Sequence, residues 1–168
     1  GLVAPPRTQD AAVSSSNNVQ ELVDYLENAT LQPIDSNHTL PGNLVVSLTS
    51  YGARFGNLYL TLRSLLLQEI LPDHLILWIA EQERESLPES VWELQAFGLE
   101  IRYCEDIRSY KKIIPALRKF PDSFIITCDD DLYYPPDWLT SLVNSWDDDE
   151  KTVVAHRAHR IRLDNEGH

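Results

Sequence analysis

Three adjacent carboxylates, Asp129-Asp130-Asp131, directly follow the apolar run Phe124-Ile125-Ile126-Thr127-Cys128. Like charges at the end of a buried strand repel one another, so keeping them together needs a cation or hydrogen bonds in compensation. Oxygen-only donors select a hard ion, Mg²⁺ or Mn²⁺, which keeps part of its water shell and shares phosphate ligands. A second acidic run, Asp147-Asp148-Asp149-Glu150, follows a helical pattern, where a charge run is usually just solvated. The first run is therefore the candidate metal site and the second reads as surface.

The elements that must position these groups alternate. Leu44–Leu48, Leu75–Ile79, Glu100–Cys104, Ser123–Cys128 and Thr152–Ala155 read as short apolar strands. Between them Asn57–Gln68, Glu89–Phe97, Tyr110–Lys119 and Pro136–Ser145 read as helices, with Gly98 as a stop and Pro136 in a first turn. The pattern predicts an α/β fold, a three-layer α/β/α sandwich around a mostly parallel central sheet. Leu44–Leu48 and Ser123–Cys128 are expected as adjacent central strands, in the order 3-2-1-4. Ligands in such sheets sit outside the carboxyl ends of the strands, which is where the Asp129 run falls. Upstream, a helix is expected to start at Asn18 as N-cap, with Glu21 three residues on and Val19, Leu22, Val23 and Leu26 as its apolar stripe. Pro33 to Gly42 reads as a linker. Residues 1–42 are thus an N-terminal arm, and residues 43–168 the ligand-binding domain.

Composition narrows the classes further. The chain has 168 residues, 43% hydrophobic and 24% charged, enough for a real core in one domain. Its net charge of −12 argues against a nucleic-acid backbone as the main partner. No apolar run is long enough for a transmembrane segment. Two cysteines, Cys104 and Cys128, make neither a disulfide framework nor a structural zinc site. They are expected to be reduced, in a cytoplasmic or membrane-peripheral setting. The segment after the first strand, Thr49-Ser50-Tyr51-Gly52-Ala53-Arg54, has neither the glycine spacing of a dinucleotide site nor a phosphate loop.

A strand ending in Asp-x-Asp, within a βαβαβ pattern lacking a glycine fingerprint, resembles the nucleotide-diphospho-sugar transferase fold (GT-A, Rossmann-like). Within it the chain is most similar to family 2 glycosyltransferases. Val45 to Tyr51 resembles the first-strand segment that lines the nucleoside, and Leu58 to Pro72, with Ser64-Leu65-Leu66-Leu67-Gln68, resembles the family's following helix. Asp106 to Lys112, then Pro115-Ala116-Leu117, resembles the segment whose lysine faces the donor diphosphate in relatives. The resemblance covers roughly residues 43–165.

That resemblance implies a nucleotide-diphospho-sugar donor, a glycan or other hydroxyl acceptor, and a divalent metal held by Asp129 and Asp131. It implies that Asp129 also touches the ribose, that Asp130 faces a sugar hydroxyl, and that Lys112, or Lys111, meets the diphosphate. Thr49 and Tyr51 would flank the base. Relatives commonly carry an Asp after the second strand to read the base; here Glu81 stands nearest that place. No residue is a convincing general base, with Glu81 and His156 the first to search. His156-Arg157-Ala158-His159-Arg160 is either a donor or metal contact or a solvated basic tail. Because the chain ends soon after Asp131, a donor-binding half of such an enzyme, slow at transfer, is one expectation. A non-catalytic nucleotide-sugar-binding module and a Mg²⁺-dependent phosphoryl-transfer enzyme are the alternatives. The second fits less well, since Asp-x-Asp phosphatases carry their motif after the first strand.

Overall fold

β1 (Leu44–Thr49) and β2 (His74–Ala80) are almost entirely Leu, Val, Ile and Trp, and both are buried along nearly their whole length. Strands covered on both faces carry such continuous apolar runs, and they pair parallel. The computed structural model describes residues 8–148, with side chains from residue 18 onward. Among these, β1 and β2 join β3 (Leu99–Cys104) and β4 (Phe124–Thr127) in one all-parallel sheet of order β3-β2-β1-β4. Val45 sits opposite both His74 and Ile125, which sets the register across the centre. β4 borders the described sheet; the expected strand Thr152–Ala155 lies outside the described residues.

The period of two along each strand divides the core. Leu44, Val46, Leu48, Leu75, Leu77 and Ile79 face one side, against α2 (Phe55–Leu66), α3 (Glu89–Glu93) and α5 (Trp138–Asn144). Val45, Ile76 and Trp78 face the other, packed with Phe120 at the end of α4 (Ile114–Lys119). Three layers result, as the pattern predicts. The chain steps from β1 outward to β3, then returns past β1 to β4. That reversal makes the carboxyl ends of β1 and β4 a topological switch point, where two diverging connections leave a crevice.

α5 begins at Trp138, so Pro136 lies before it rather than in its first turn, and α2 runs two residues earlier than expected; three further boundaries differ for identifiable reasons. The N-terminal helix α1 spans Thr8–Asn28, so Asn18 lies inside it and caps nothing. Residues 7–32 contain neither glycine nor proline, and nothing halts the helix at residue 18. The expected helix Tyr110–Lys119 is a 3₁₀ turn, Arg108–Lys112, followed by α4. Pro115 lacks an N–H, and its ring disfavours a continuous helix through residues 111–114. The helix expected over Glu89–Phe97 tightens to 3₁₀ from Leu94, and ends at Gly98 with φ of 105°. A Cβ there would also stand 3.0 Å from the Ile34 Cβ, so glycine is required twice over.

α1 is anchored by its last turn. Leu26 is buried, while Val19, Leu22 and Tyr25 remain exposed, so the expected stripe covers the domain only at its C-terminal end. The guanidinium of the buried Arg63 in α2 donates to the Leu26 and Ala29 carbonyls and so caps that end. The segment expected as a linker is tied to the domain surface. Ile34 N–H donates to the Phe97 carbonyl at 3.0 Å, and Asn37 bonds both Glu69 and Leu71. His38 meets Asp73 at 2.6 Å. No described helix is long and apolar enough to cross a membrane.

Candidate functional site

β4 ends at Thr127, the buried Cys128 adds one more bond from its N–H to the Ser47 carbonyl at 3.0 Å, and the three carboxylates follow. Asp130 turns inward and is 3% exposed. Its Oδ2 accepts the Ser50 hydroxyl at 2.6 Å, and its Oδ1 lies 3.1 Å from Arg54 Nη1. Its backbone carbonyl accepts the Thr61 hydroxyl at 3.1 Å. Asp129 and Asp131 point outward, with side chains 57% and 48% exposed. Lys112 Nζ lies 2.7 Å from Asp129 Oδ1, and Arg54 Nη2 pairs with Asp131 Oδ2. The repulsion read from the sequence is thus relieved by one serine and two cations. Among the described residues no group of three His, Cys, Asp or Glu side chains is arranged to hold a metal.

A clamp on α2 sets this geometry. Thr61 and Ser64 on α2, and Gln68 just past its end, are all buried. Ser64 Oγ accepts the Tyr134 N–H at 3.0 Å; Gln68 donates to the Pro135 carbonyl at 2.7 Å and accepts the Leu139 N–H at 3.0 Å. Together with Thr61 they hold the loop from Asp130 to the start of α5. Tyr134 completes it, its hydroxyl accepting the Asp129 N–H at 2.8 Å. Burial, and then the neighbouring Cys128, Asp129 and Asp131, push the Tyr134 phenol well above its usual range, so it stays neutral.

The carboxyl ends of the strands enclose a cleft of about 420 Å³. Thr49, Tyr51 and Arg54 reach it from the end of β1 and the turn beyond, Glu83 from after β2, Asp106, Arg108, Lys111 and Lys112 from after β3, and Cys128 to Asp130 from after β4. Of the expected site residues, Thr49, Tyr51, Lys112, Asp129 and Asp130 line it together, and Asp131 stands beside it through Arg54. Thr49 uses its hydroxyl on the Trp78 carbonyl at 2.7 Å. Tyr51 is half exposed beneath the Arg54 guanidinium, 5.9 Å from its ring centre. Asp130, expected on a sugar hydroxyl, has its carboxylate committed to Ser50 and Arg54. Glu81 is exposed and lies outside the lining. His156-Arg157-Ala158-His159-Arg160 lies outside the described residues.

Glu83 and Arg54 line the cleft but are not among the expected site residues. Glu83 replaces Glu81 because the chain turns through a 3₁₀ helix, Glu81–Ser86, after β2, which brings its third residue back over the cleft. Its Oε1 accepts the Gly52 N–H at 2.8 Å, while Oε2 is buried without a partner. Arg54 was passed over because no spacing ties residue 54 to residues 130 and 131. Next to them, Lys111 is buried and bonds Asp106 Oδ1 at 2.9 Å. That bond, then the Arg108 N–H on the same oxygen, hold the Asp106 carboxyl below its ordinary value. Arg108 itself adopts φ of 54°, a left-handed conformation uncommon outside glycine.

A four-stranded parallel sheet with helices on both faces, and a polar cleft at its switch point lacking a glycine loop, defines a GT-A, Rossmann-like domain. The sequence model of glycosyl transferase family 2 matches residues 48–167, well over half of the chain, and the chain belongs to that family. Comparison with curated proteins and with solved structures returned no match.

Proposed function

We propose that the cleft binds a nucleotide-diphospho-sugar and that the domain transfers its sugar to an acceptor hydroxyl. The observation that carries this reading is the convergence of the loops after all four strands on one polar cleft in a family 2 domain. In this reading residues 43–168 are the donor-binding domain, preceded by residues 1–42 as an N-terminal arm. Asp129 and Asp131 are the ligands for Mg²⁺ or Mn²⁺. Two outward carboxylates supply hard oxygens for part of an octahedral set and leave the remainder to water and phosphate, which suits either ion. Bound there, the ion would neutralise the nucleoside diphosphate as it departs.

The chain's own residues divide the remaining work. Lys112 faces the diphosphate from the cleft lining, and Tyr51 offers an exposed ring to the base. The unpartnered Glu83 Oε2 supports a role in accepting an N–H or O–H of the nucleoside, because a buried acceptor left alone is costly. In transfer, the bond from the anomeric carbon to the diphosphate oxygen breaks and one to the acceptor oxygen forms. The acceptor proton passes to a base.

The test is thermal denaturation with UDP-, GDP- and CDP-sugars, each with and without Mn²⁺. A ligand confined to the native state at 100 times its Kd adds about 2.7 kcal/mol, a plainly visible rise in Tm. One base series is expected to raise Tm only with Mn²⁺; no shift with any of them rejects the reading. Incubation with glycan acceptors and mass spectrometry of the products then separates transfer from binding without turnover.

A further inference from the structure

Arg54 and Lys112 occupy oxygens of the same carboxylates that are read above as metal ligands, and the inference here rests on that reading. Arg54 stands on the 3₁₀ turn Gly52–Arg54, with its side chain 40% exposed at the cleft edge. It spans two acids of opposite character. Asp130 is buried and also held by Ser50, whereas Asp131 is half exposed and has Arg54 as its ion-pair partner. Lys112 likewise holds the exposed Asp129. Exposed ion pairs of this kind are weak and exchange readily. A cation anchored by Asp130 can therefore release Asp131 without leaving the cleft.

We propose that Arg54 is a diphosphate-binding residue whose hold on Asp131 is exchanged for the donor's phosphates when Asp129 and Asp131 take a divalent ion, with Lys112 making the same exchange from Asp129. The charges balance in both arrangements: carboxylate with side-chain cation, or carboxylate with metal and phosphate with side-chain cation. A guanidinium suits the second role because its planar fork matches phosphate oxygens in pairs. The exchange makes metal and diphosphate mutually dependent. Whatever factor one ligand adds to the other's affinity must be returned in full.

The experiment uses the whole chain, with Mn²⁺ and inorganic pyrophosphate as probes. Mn²⁺ binding is followed by the electron paramagnetic resonance of the free ion, and pyrophosphate by equilibrium dialysis at fixed Mn²⁺. In the wild type each probe is expected to tighten the other by about tenfold, within the usual range of coupling. Arg54→Gln and Lys112→Gln each remove a competitor for the carboxylates and a ligand for the phosphates. Both are expected to bind Mn²⁺ alone more tightly and pyrophosphate more weakly, opposite signs that a merely structural role does not produce. If both probes weaken together, or neither changes, the exchange is overturned while the metal reading stands. If Mn²⁺ binds none of the proteins, with or without pyrophosphate, the metal reading itself falls and the exchange with it. Should Arg54→Gln fail to fold, Arg54→Lys decides by the same titrations. Its single ammonium cannot hold Asp130 and Asp131 together, so Mn²⁺ again tightens and pyrophosphate weakens.

Discussion

The Ser50 hydroxyl donates to the Asp130 carboxylate at 2.6 Å, across 80 residues of sequence, and so joins the carboxyl ends of β1 and β4. Both groups are buried. Asp130→Ala leaves the Ser50 hydroxyl without its acceptor and removes the inner anchor of Arg54. A loss of about 3–5 kcal/mol in urea unfolding is expected, the usual cost of breaking a buried charged contact. Asp131→Ala, half exposed, should cost no more than about 1 kcal/mol. Equal costs for the two would contradict the inward and outward placement.

Binding should show the reverse order of dependence on the outer pair. Asp129→Asn and Asp131→Asn are expected to lower Mn²⁺-dependent nucleoside-diphosphate affinity at least about tenfold, as loss of a metal ligand or its support does. Asp148→Asn, at an exposed residue beyond α5, should leave affinity unchanged. Calorimetry with Mn²⁺ and the diphosphate of the base found by thermal shift checks all three. Like behaviour of Asp131 and Asp148 removes the site assignment.

Arg63 joins α1 to α2 by donating to two carbonyls at once. Arg63→Ala is expected to cost about 2–4 kcal/mol, since it strips one buried and one half-buried carbonyl of a charged donor. Arg63→Lys should recover little, because one ammonium cannot reproduce the fork. Hydrogen exchange is the sharper readout: amides of residues 18–31 should lose protection more than those of β1.

Asp73 predicts a pH dependence. Burial by itself raises its pKa, but hydrogen bonds from the Leu44 N–H, His38 and Ser36 outweigh that and bring it below the ordinary value. A lowered folded pKa stabilises above the unfolded value, near 4, and that stability is lost as pH falls through the folded one. The stability gap between wild type and Asp73→Asn should therefore shrink as pH falls below about 4. A gap that persists unchanged to about pH 2 would assign the effect to packing instead.

Both thiols are free, on β3 and just past β4, at opposite borders of the described sheet. Burial holds the Cys128 thiol far above its usual pKa, and burial raises Cys104 as well. Thiolate is the reactive form, so native Cys128 should resist alkylation until the protein unfolds, with Cys104 reacting first. Mass spectrometry after timed iodoacetamide treatment reads this directly. Rapid native labelling of Cys128 would show that the strand end opens.

Strand positions and the parallel sheet were legible along the chain because burial on both faces demands unbroken apolar runs such as Leu44–Leu48 and Leu75–Ile79. The Asp129 run was legible because three adjacent charges directly follow an apolar run, although β4 itself, expected as a buried strand, is only half-buried among the described residues. Residue spacing alone could not show how that charge is compensated. Arg54 and Ser50 meet Asp130 only because β1 and β4 are neighbours, a pairing between distant segments that leaves no periodic trace. Helix ends at Asn18 and Tyr110 were misplaced because capping and proline effects depend on the backbone path already taken. Glu83 displaced Glu81 through the tightness of one 3₁₀ turn, a shift of two residues that local propensity does not set. The chemistry available to the site thus came from the sequence, whereas which carboxylate faces inward, and which cation holds it, came from tertiary packing.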